Sequence, residues 1–201
     1  MTPQELFDAV KLDDIYFLAT KGGITFSGGE PLMHNQFIIE FSKLAHEMSW
    51  SIAVESAFNI SKDIINKTFD YIDEYEIDIK SMDSDTHRKY TGVPNENILS
   101  NIEYLSKKVD NFNAENKTQK SIIISVPVIP TVNDSLENIT ETINFVKKHN
   151  INTLHLITYR DYTEKRYTDL GLKYPLSIEY DKEDYLQRLS TLRKLVEENI
   201  D

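Results

Sequence analysis

The chain of 201 residues contains no cysteine. That excludes disulfides, zinc–thiolate sites, thiol nucleophiles and every thiolate-held iron–sulfur cluster built from its own side chains. Glycine and proline number six each, too few for a collagen-like or low-complexity chain. Basic residues are in the minority: 22 Lys and Arg against 33 Asp and Glu give a formal net charge of -11. The acidic excess is not gathered in one tail, and it argues against nucleic acid or an anionic membrane surface as a general partner. No run reaches the roughly 18 apolar residues of a membrane span. The N-terminus opens on a helix cap where an exported protein would carry a basic leader, so a cytoplasmic location is expected. Hydrophobic residues make up 40% of the chain, enough at this length for one globular domain with a sizeable core.

The order of elements is legible from periodicity. Thr2-Pro3-Gln4-Glu5 reads as a helix start, with Thr2 as cap and Pro3 at the first helical position. Ile24 to Ser27 reads as a short strand running into the turn Gly28-Gly29-Glu30-Pro31. Phe37, Ile38, Phe41, Leu44, Ala45 and Met48 recur at helical spacing, and Ser51 to Val54 returns to strand. Ser61 to Phe69 predicts a helix, and Tyr75 to Lys80 alternates apolar with charged residues as a strand does. A helix is predicted from Pro94 to about Lys108, followed by an asparagine-rich surface connector, Asp110 to Lys120. Ser121 to Ile129 is a β-branched run of the kind buried on both faces of a parallel sheet. Asp134 and Glu137 predict the cap and third position of a helix whose buried stripe is Leu136, Ile139, Ile143 and Val146. Thr153 to Ile157 gives a fifth strand, a polar loop leaves Thr158, and Asp181 to Glu198 closes the chain as a helix. Alternating strands and helices imply an α/β fold with a parallel sheet, open and doubly wound or part of a β/α barrel.

In either architecture the reactive surface lies beyond the C-terminal strand ends, at residues 27–30, 55–57, 78–83, 130–134 and 158–161. Gly28 and Gly29 allow close backbone approach, and Glu30 adds a carboxylate suited to a cationic amine. The same residues also fit a plain tight turn with a solvated glutamate. Asp78 and Lys80, two apart on a strand, share a face. They read either as a functional pair or as an ion pair whose desolvation cost rivals its attraction. Glu55 and Ser56 could meet a ribose or similar diol. His34, His46, His87, His149 and His155 show no metal-ligand spacing, and no metal site is assigned. An unrelated α/β enzyme using Glu30, Asp78 and Lys80 in acid–base work is a further reading.

Beyond these residue-level readings, Gly22-Gly23-Ile24-Thr25-Phe26-Ser27-Gly28-Gly29-Glu30-Pro31-Leu32 resembles the GGE(P) segment of radical S-adenosylmethionine enzymes. Its form is that of the glycyl-radical-enzyme activating enzymes of the pyruvate formate-lyase type. The likeness continues through Ile77 to Asp83, His87, Tyr90 to Val93, Asn97, Val126 to Pro130, Val132 to Asp134, Tyr159 and Leu170-Gly171. It departs at Glu55-Ser56-Ala57, where the family has an Asp-Thr-Ser/Asn-Gly-like segment, and at Ser125, Thr131 and Arg160, where the family usually carries arginine, glycine and histidine. The resemblance implies a partial β/α barrel of six strands holding S-adenosylmethionine over a [4Fe-4S] cluster. Cleavage there yields a 5'-deoxyadenosyl radical that takes a glycine Cα hydrogen from a partner glycyl radical enzyme. Flavodoxin or ferredoxin would supply the electron. The implied cofactor-binding residues are Ser27, Gly28, Gly29, Glu30, Glu55, Ser56, Asp78 and Lys80, with Gly28 to Glu30 on the methionine amino group and Glu55 facing the ribose.

The CxxxCxxC loop of that family, and the strand before it, have no counterpart in these residues. The expectation is therefore a truncated radical-SAM partial barrel over residues 1–201, with five of the six strands. No catalytic residue or metal ligand is assigned in this chain, and neither cofactor is expected to bind it tightly. As a fragment or shortened relative of an activase it is expected to be inactive alone. The alternative is a non-catalytic binding or regulatory protein for a glycyl radical enzyme. The strand Ile24 to Ser27, left at the sheet edge, is expected to invite self-association.

Overall fold

The computed structural model describes residues 1–160, 163–173 and 178–200. Helix α1 (Pro3–Val10) is opened by Thr2, whose hydroxyl accepts from the Glu5 N–H while the Glu5 carboxylate accepts from the Thr2 N–H. This reciprocal cap satisfies two backbone donors that the first turn would otherwise leave unpaired. A short 3-10 turn leads into α2 (Asp14–Thr20), which ends on Lys21 in the left-handed region. Trp50 anchors both helices: its ring stacks on Phe7 at 5.2 Å and meets Phe17 edge-on at 5.0 Å, while its indole N–H donates to Asp14 at 2.7 Å.

Five parallel strands form one sheet in which spatial order equals chain order: β1 (Gly23–Phe26), β2 (Ser51–Ser56), β3 (Glu74–Asp78), β4 (Ser121–Val128) and β5 (Leu154–Thr158). The crossovers carry α3 (Asn35–Glu47), α4 (Lys62–Thr68), α5 (Ser84–Thr91) with α6 (Glu96–Glu115), and α7 (Leu136–Lys148). After β5 come α8 (Thr163–Asp169) and α9 (Lys182–Glu197). A doubly wound sheet reverses its strand order at a switch point, and this one never does. The arrangement is an arc of a β/α barrel, which decides between the two architectures open to the sequence.

One face of the arc carries the core. Ile52, Val54, Tyr75, Ile77, Ile124 and Val126 are fully buried against the stripes of α3, α6 and α7, and each such side chain contributes about 1.5–3 kcal/mol through loss of water contact. At Gly23 a Cβ would lie 1.8 Å from the Ser51 carbonyl oxygen; glycine there lets β1 close onto β2. Among the described residues, no helix is long and apolar enough to cross a membrane.

Several local expectations change. Residues 110–115 are not connector but the last turns of α6, because Phe112 continues its apolar stripe and meets Phe69 edge-on at 5.8 Å. Lys120, placed in the same surface connector, is buried between Phe69 and Phe112 and donates to the Ile72 carbonyl at 2.6 Å. Helix α7 is capped by Ser135, not Asp134, and its Leu136 is exposed. Asp134 instead accepts from the Thr131 N–H at 2.9 Å and pairs with Arg188 of α9 at 2.7 Å. Strand β4 is fully buried on one face, while on the other Ser125 is buried and Ile123 and Pro127 are half-buried. Helices α2, α5 and α8 were not legible, being short and weakly periodic, and β3 ends at Asp78, before Lys80. Of the strand-end positions, Asp161 lies outside the described residues.

Candidate functional site

The second face of the arc carries the charged and polar strand residues, interspersed with Ala53, Ile123, Pro127 and Ile157. Strand alternation places Thr25, Glu55, Glu76, Asp78, Ser125 and His155 on it, opposite the buried set. Register sets Glu55 directly beside Glu76, Asp78 beside Ser125, and Ser125 beside His155. Two carboxylates abreast repel each other, and each is held by a hydroxyl. Ser27 donates to Glu55 at 2.8 Å, and Ser125 donates to Glu76 at 2.6 Å.

At the C-terminal ends of β1 to β3 the predicted residues converge. The Glu30 carboxylate accepts from the buried Ser56 hydroxyl at 2.8 and 2.9 Å and from the Leu32 N–H at 3.2 Å. Ser56 in turn accepts from the Phe58 N–H at 2.9 Å. Phe58 itself sits in the left-handed region at φ 59, an uncommon place for a bulky side chain. Asn101 of α6 fixes that loop by donating to the Phe58 and Ile60 carbonyls at 3.1 and 2.8 Å. Lys80, just past β3, turns back and forms an ion pair with Asp78. Burial pushes the Asp78 carboxyl upward; Lys80 pulls it down, and Glu55 and Glu76 push it up again, leaving it above its ordinary value. Gly28 and Gly29 stand clear, with nothing within 4 Å of where a Cβ would be, and Gly28 adopts φ 122, open to glycine alone in practice.

Of these groups Glu30, Asp78 and Lys80 line a cavity of about 380 Å³, together with Met33 on the strand side and with His87 and Val93 of the α5 region on the other. His87 is buried, and its ring bonds the Val93 carbonyl at 2.7 Å. Six of the eight predicted site residues thus form three bonded pairs: Ser27 with Glu55, Ser56 with Glu30, and Asp78 with Lys80. The glycine turn lies beside them. Glu76 and His87 were missed as site residues. The period of two in Glu74 to Asp78 was the available signal for Glu76, since it shares the face of Asp78. His87 was quoted as part of the family resemblance, but no local pattern gave it a role, because α5 itself was not read.

The mouth therefore combines four carboxylates, Glu30, Glu55, Glu76 and Asp78, with one ammonium, Lys80, around exposed glycine backbone. Such a donor set suits a small ligand carrying positive charge and hydrogen-bond donors. It does not suit an iron–sulfur cluster. The sequence offers no thiolate, and among the described residues no group of three or more His, Cys, Asp or Glu is placed to hold a metal ion. No step through such a cluster is ascribed to these residues.

An arc of five parallel strands with a Gly-Gly-Glu turn at its acidic mouth defines a partial β/α barrel of the radical-SAM kind. The chain belongs to the Radical SAM superfamily, whose family model matches residues 1–146. Within it, the chain is homologous to glycyl-radical-enzyme activating enzymes. It is 36% identical over 192 residues to the 4-hydroxyphenylacetate decarboxylase activating enzyme of Clostridioides difficile strain 630, covering 95% of this chain and 58% of that protein. It is 32% identical over 179 residues to the (2S)-3-sulfopropanediol dehydratase activating enzyme of Klebsiella oxytoca, covering 88% and 53%. The chain thus spans little more than half the length of these curated relatives. The crystal structure of a domain of pyruvate-formate lyase-activating enzyme from Bacteroides vulgatus ATCC 8482 matches it with a TM-score of 0.64 at 26% identity, over 88% of this chain and 95% of that one.

Proposed function

We propose that this chain is the cofactor-facing part of a glycyl-radical-enzyme activase and that its acidic mouth receives S-adenosylmethionine. The observation that carries the reading is the convergence of Glu30, which the exposed Gly28–Gly29 turn precedes, with the Asp78–Lys80 pair on one open cavity. S-adenosylmethionine brings a sulfonium that, when reduced at an iron–sulfur centre, supplies the radical chemistry of the family. In this chain, the bare Gly28–Gly29 backbone and the Glu30 carboxylate receive the amino group. Ser56 holds Glu30 in place, Glu55 faces the ribose from beside Ser27, and Asp78 with Lys80 meets the remaining polar groups. Without thiolates the 201 residues do not perform the radical step alone. A glycyl radical enzyme as target, a flavodoxin or ferredoxin as electron donor, and a cytoplasmic setting belong to the same proposal.

Calorimetric titration with S-adenosylmethionine tests it. Loss of the ligand's contacts to iron, worth about 4 kcal/mol, weakens a micromolar site roughly a thousandfold, to about 1 mM. Glu30→Ala and Asp78→Ala should each abolish the residual heat. Binding that neither substitution changes overturns the assignment of the mouth. A second reading rests on the absence of cysteine beside an intact mouth: a non-catalytic partner that binds a glycyl radical enzyme. A pull-down that recovers no such enzyme removes it.

A further inference from the structure

His87 has one ring nitrogen tied to the protein and one left over. The side chain is buried, and its Nδ1 lies 2.7 Å from the Val93 carbonyl. A carbonyl has no proton to give, so the neutral ring carries its hydrogen on Nδ1 and keeps a lone pair on Nε2. The Thr91 hydroxyl, which donates to the His87 carbonyl at 2.8 Å, stands 3.0 Å from the same Nδ1 and holds the ring from that side. Among the described residues no hydrogen bond reaches Nε2, yet it is not one of the buried polar atoms sealed without a partner. The opening it meets is the cavity that His87 lines with Glu30, Asp78 and Lys80. The surrounding loops are fixed. Asp83 caps α5 by accepting from the Thr86 N–H at 2.7 Å, and Asn95 donates to the Ser81 and Met82 carbonyls at 2.9 and 2.7 Å. The acceptor is therefore in place before any ligand arrives.

We propose that His87 is a ligand-binding residue: its Nε2 accepts an N–H from the α-ammonium of the molecule in the mouth, so that this cavity recognises an amino-acid end. The inference rests on the reading of the mouth given above. An ammonium has three donors and no acceptor. The Glu30 carboxylate takes one, but the Ser56 hydroxyl and the Leu32 N–H already occupy part of its capacity. The lone pair of His87, on the other side of the cavity, takes a second. Lys80 supplies a cation for the neighbouring carboxylate of the same ligand end. Met33, Ala57, Val93 and Ile98 make the rest of the wall largely apolar, which strengthens these polar contacts by keeping water away. The tautomer sets the polarity of recognition, because Nε2 accepts and does not donate.

Two-bond proton–nitrogen NMR of the histidine-labelled chain reads the tautomer and the contact together. The expected ligand-free state of His87 is Nδ1–H with a bare Nε2. S-adenosylmethionine should move the Nε2 signal, and 5'-methylthioadenosine, which lacks the amino-acid end, should not. His87→Asn keeps an N–H within reach of Val93 and removes Nε2. It should leave Tm unchanged, weaken S-adenosylmethionine about tenfold and leave 5'-methylthioadenosine binding as it was. His87→Gln, whose amide oxygen extends to the Nε2 position, should recover most of the affinity while lowering Tm. Binding that Glu30→Ala abolishes but His87→Asn leaves unchanged overturns the role of His87 and spares the mouth. So does an Nε2–H tautomer, or a His87→Asn variant that loses both ligands alike. Absent binding, or binding indifferent to Glu30→Ala and Asp78→Ala, overturns the reading of the mouth, and the role of His87 falls with it.

Discussion

Replacing Ser56 by alanine should destabilise the protein by about 3 kcal/mol, although one oxygen atom is removed. The Ser56 hydroxyl is fully enclosed and carries two bonds at once, to the Glu30 carboxylate and from the Phe58 N–H. Phe58 is itself completely buried and held at positive φ. Its N–H would lose its acceptor where water cannot replace it, at a cost of about 1–3 kcal/mol. Glu30 is half-buried, so solvent recovers part of the charge-assisted bond it loses, leaving about 1 kcal/mol. At roughly 2–4 °C per kcal/mol for a chain of this size, Tm should fall by about 6–12 °C. Urea denaturation gives the free energy directly, and Glu30→Gln, which keeps both acceptor oxygen and shape, should cost only about 1 kcal/mol. A double-mutant cycle of Ser56→Ala with Glu30→Ala should show a coupling of about 1 kcal/mol. A Ser56→Ala variant within about 0.5 kcal/mol of the parent would refute the reasoning, because the hydroxyl would then not hold the loop or the carboxylate.

Two other outcomes follow from the same structure. Burial alone would raise the Asp73 carboxyl, but the His46 hydrogen bond at 3.0 Å, the Ile52 N–H at 2.8 Å, and the charges of His46 and Lys120 outweigh it and hold the carboxyl below its usual range. A depressed carboxylate contributes stability that is present above its unfolded value and lost as pH falls through the folded one. Asp73→Asn should therefore cost about 1–3 kcal/mol at pH 7 in urea melts, and the gap to the parent should close in acid; a gap that stays constant down to about pH 2 contradicts this. Thr131 sits at φ 64, where a β-branched side chain costs about 1–2 kcal/mol. Thr131→Gly should raise Tm by about 2 °C after the loss to unfolded-chain entropy, and a lowered Tm in calorimetry would contradict the strain.

The strands and the larger helices were legible because one face of each is buried, so the period of two in β3 and the stripes of α3, α7 and α9 appear in the order of residues. The Thr2 to Glu5 cap was equally visible, since two side chains and two backbone donors three residues apart determine it. What stayed hidden depends on distant neighbours. Nothing near Lys120 announces that Phe69 and Phe112 will enclose it. Nothing near Asp134 announces Arg188, 54 residues later, so a plausible cap residue was taken for the real one, Ser135. In the site, the Gly28 to Glu30 turn and the Asp78–Lys80 pair could be placed from local pattern alone. The bonds of Glu30 to Ser56 and of Glu76 to Ser125 arise from register between strands, which a single sequence does not state.

The dependence of radical formation on sulfur ligands is tested most directly by anaerobic reconstitution of the 201-residue chain with iron, sulfide, S-adenosylmethionine and a strong reductant. The expected result is no stable four-iron absorption and no 5'-deoxyadenosine. A lasting cluster spectrum accompanied by 5'-deoxyadenosine would contradict it.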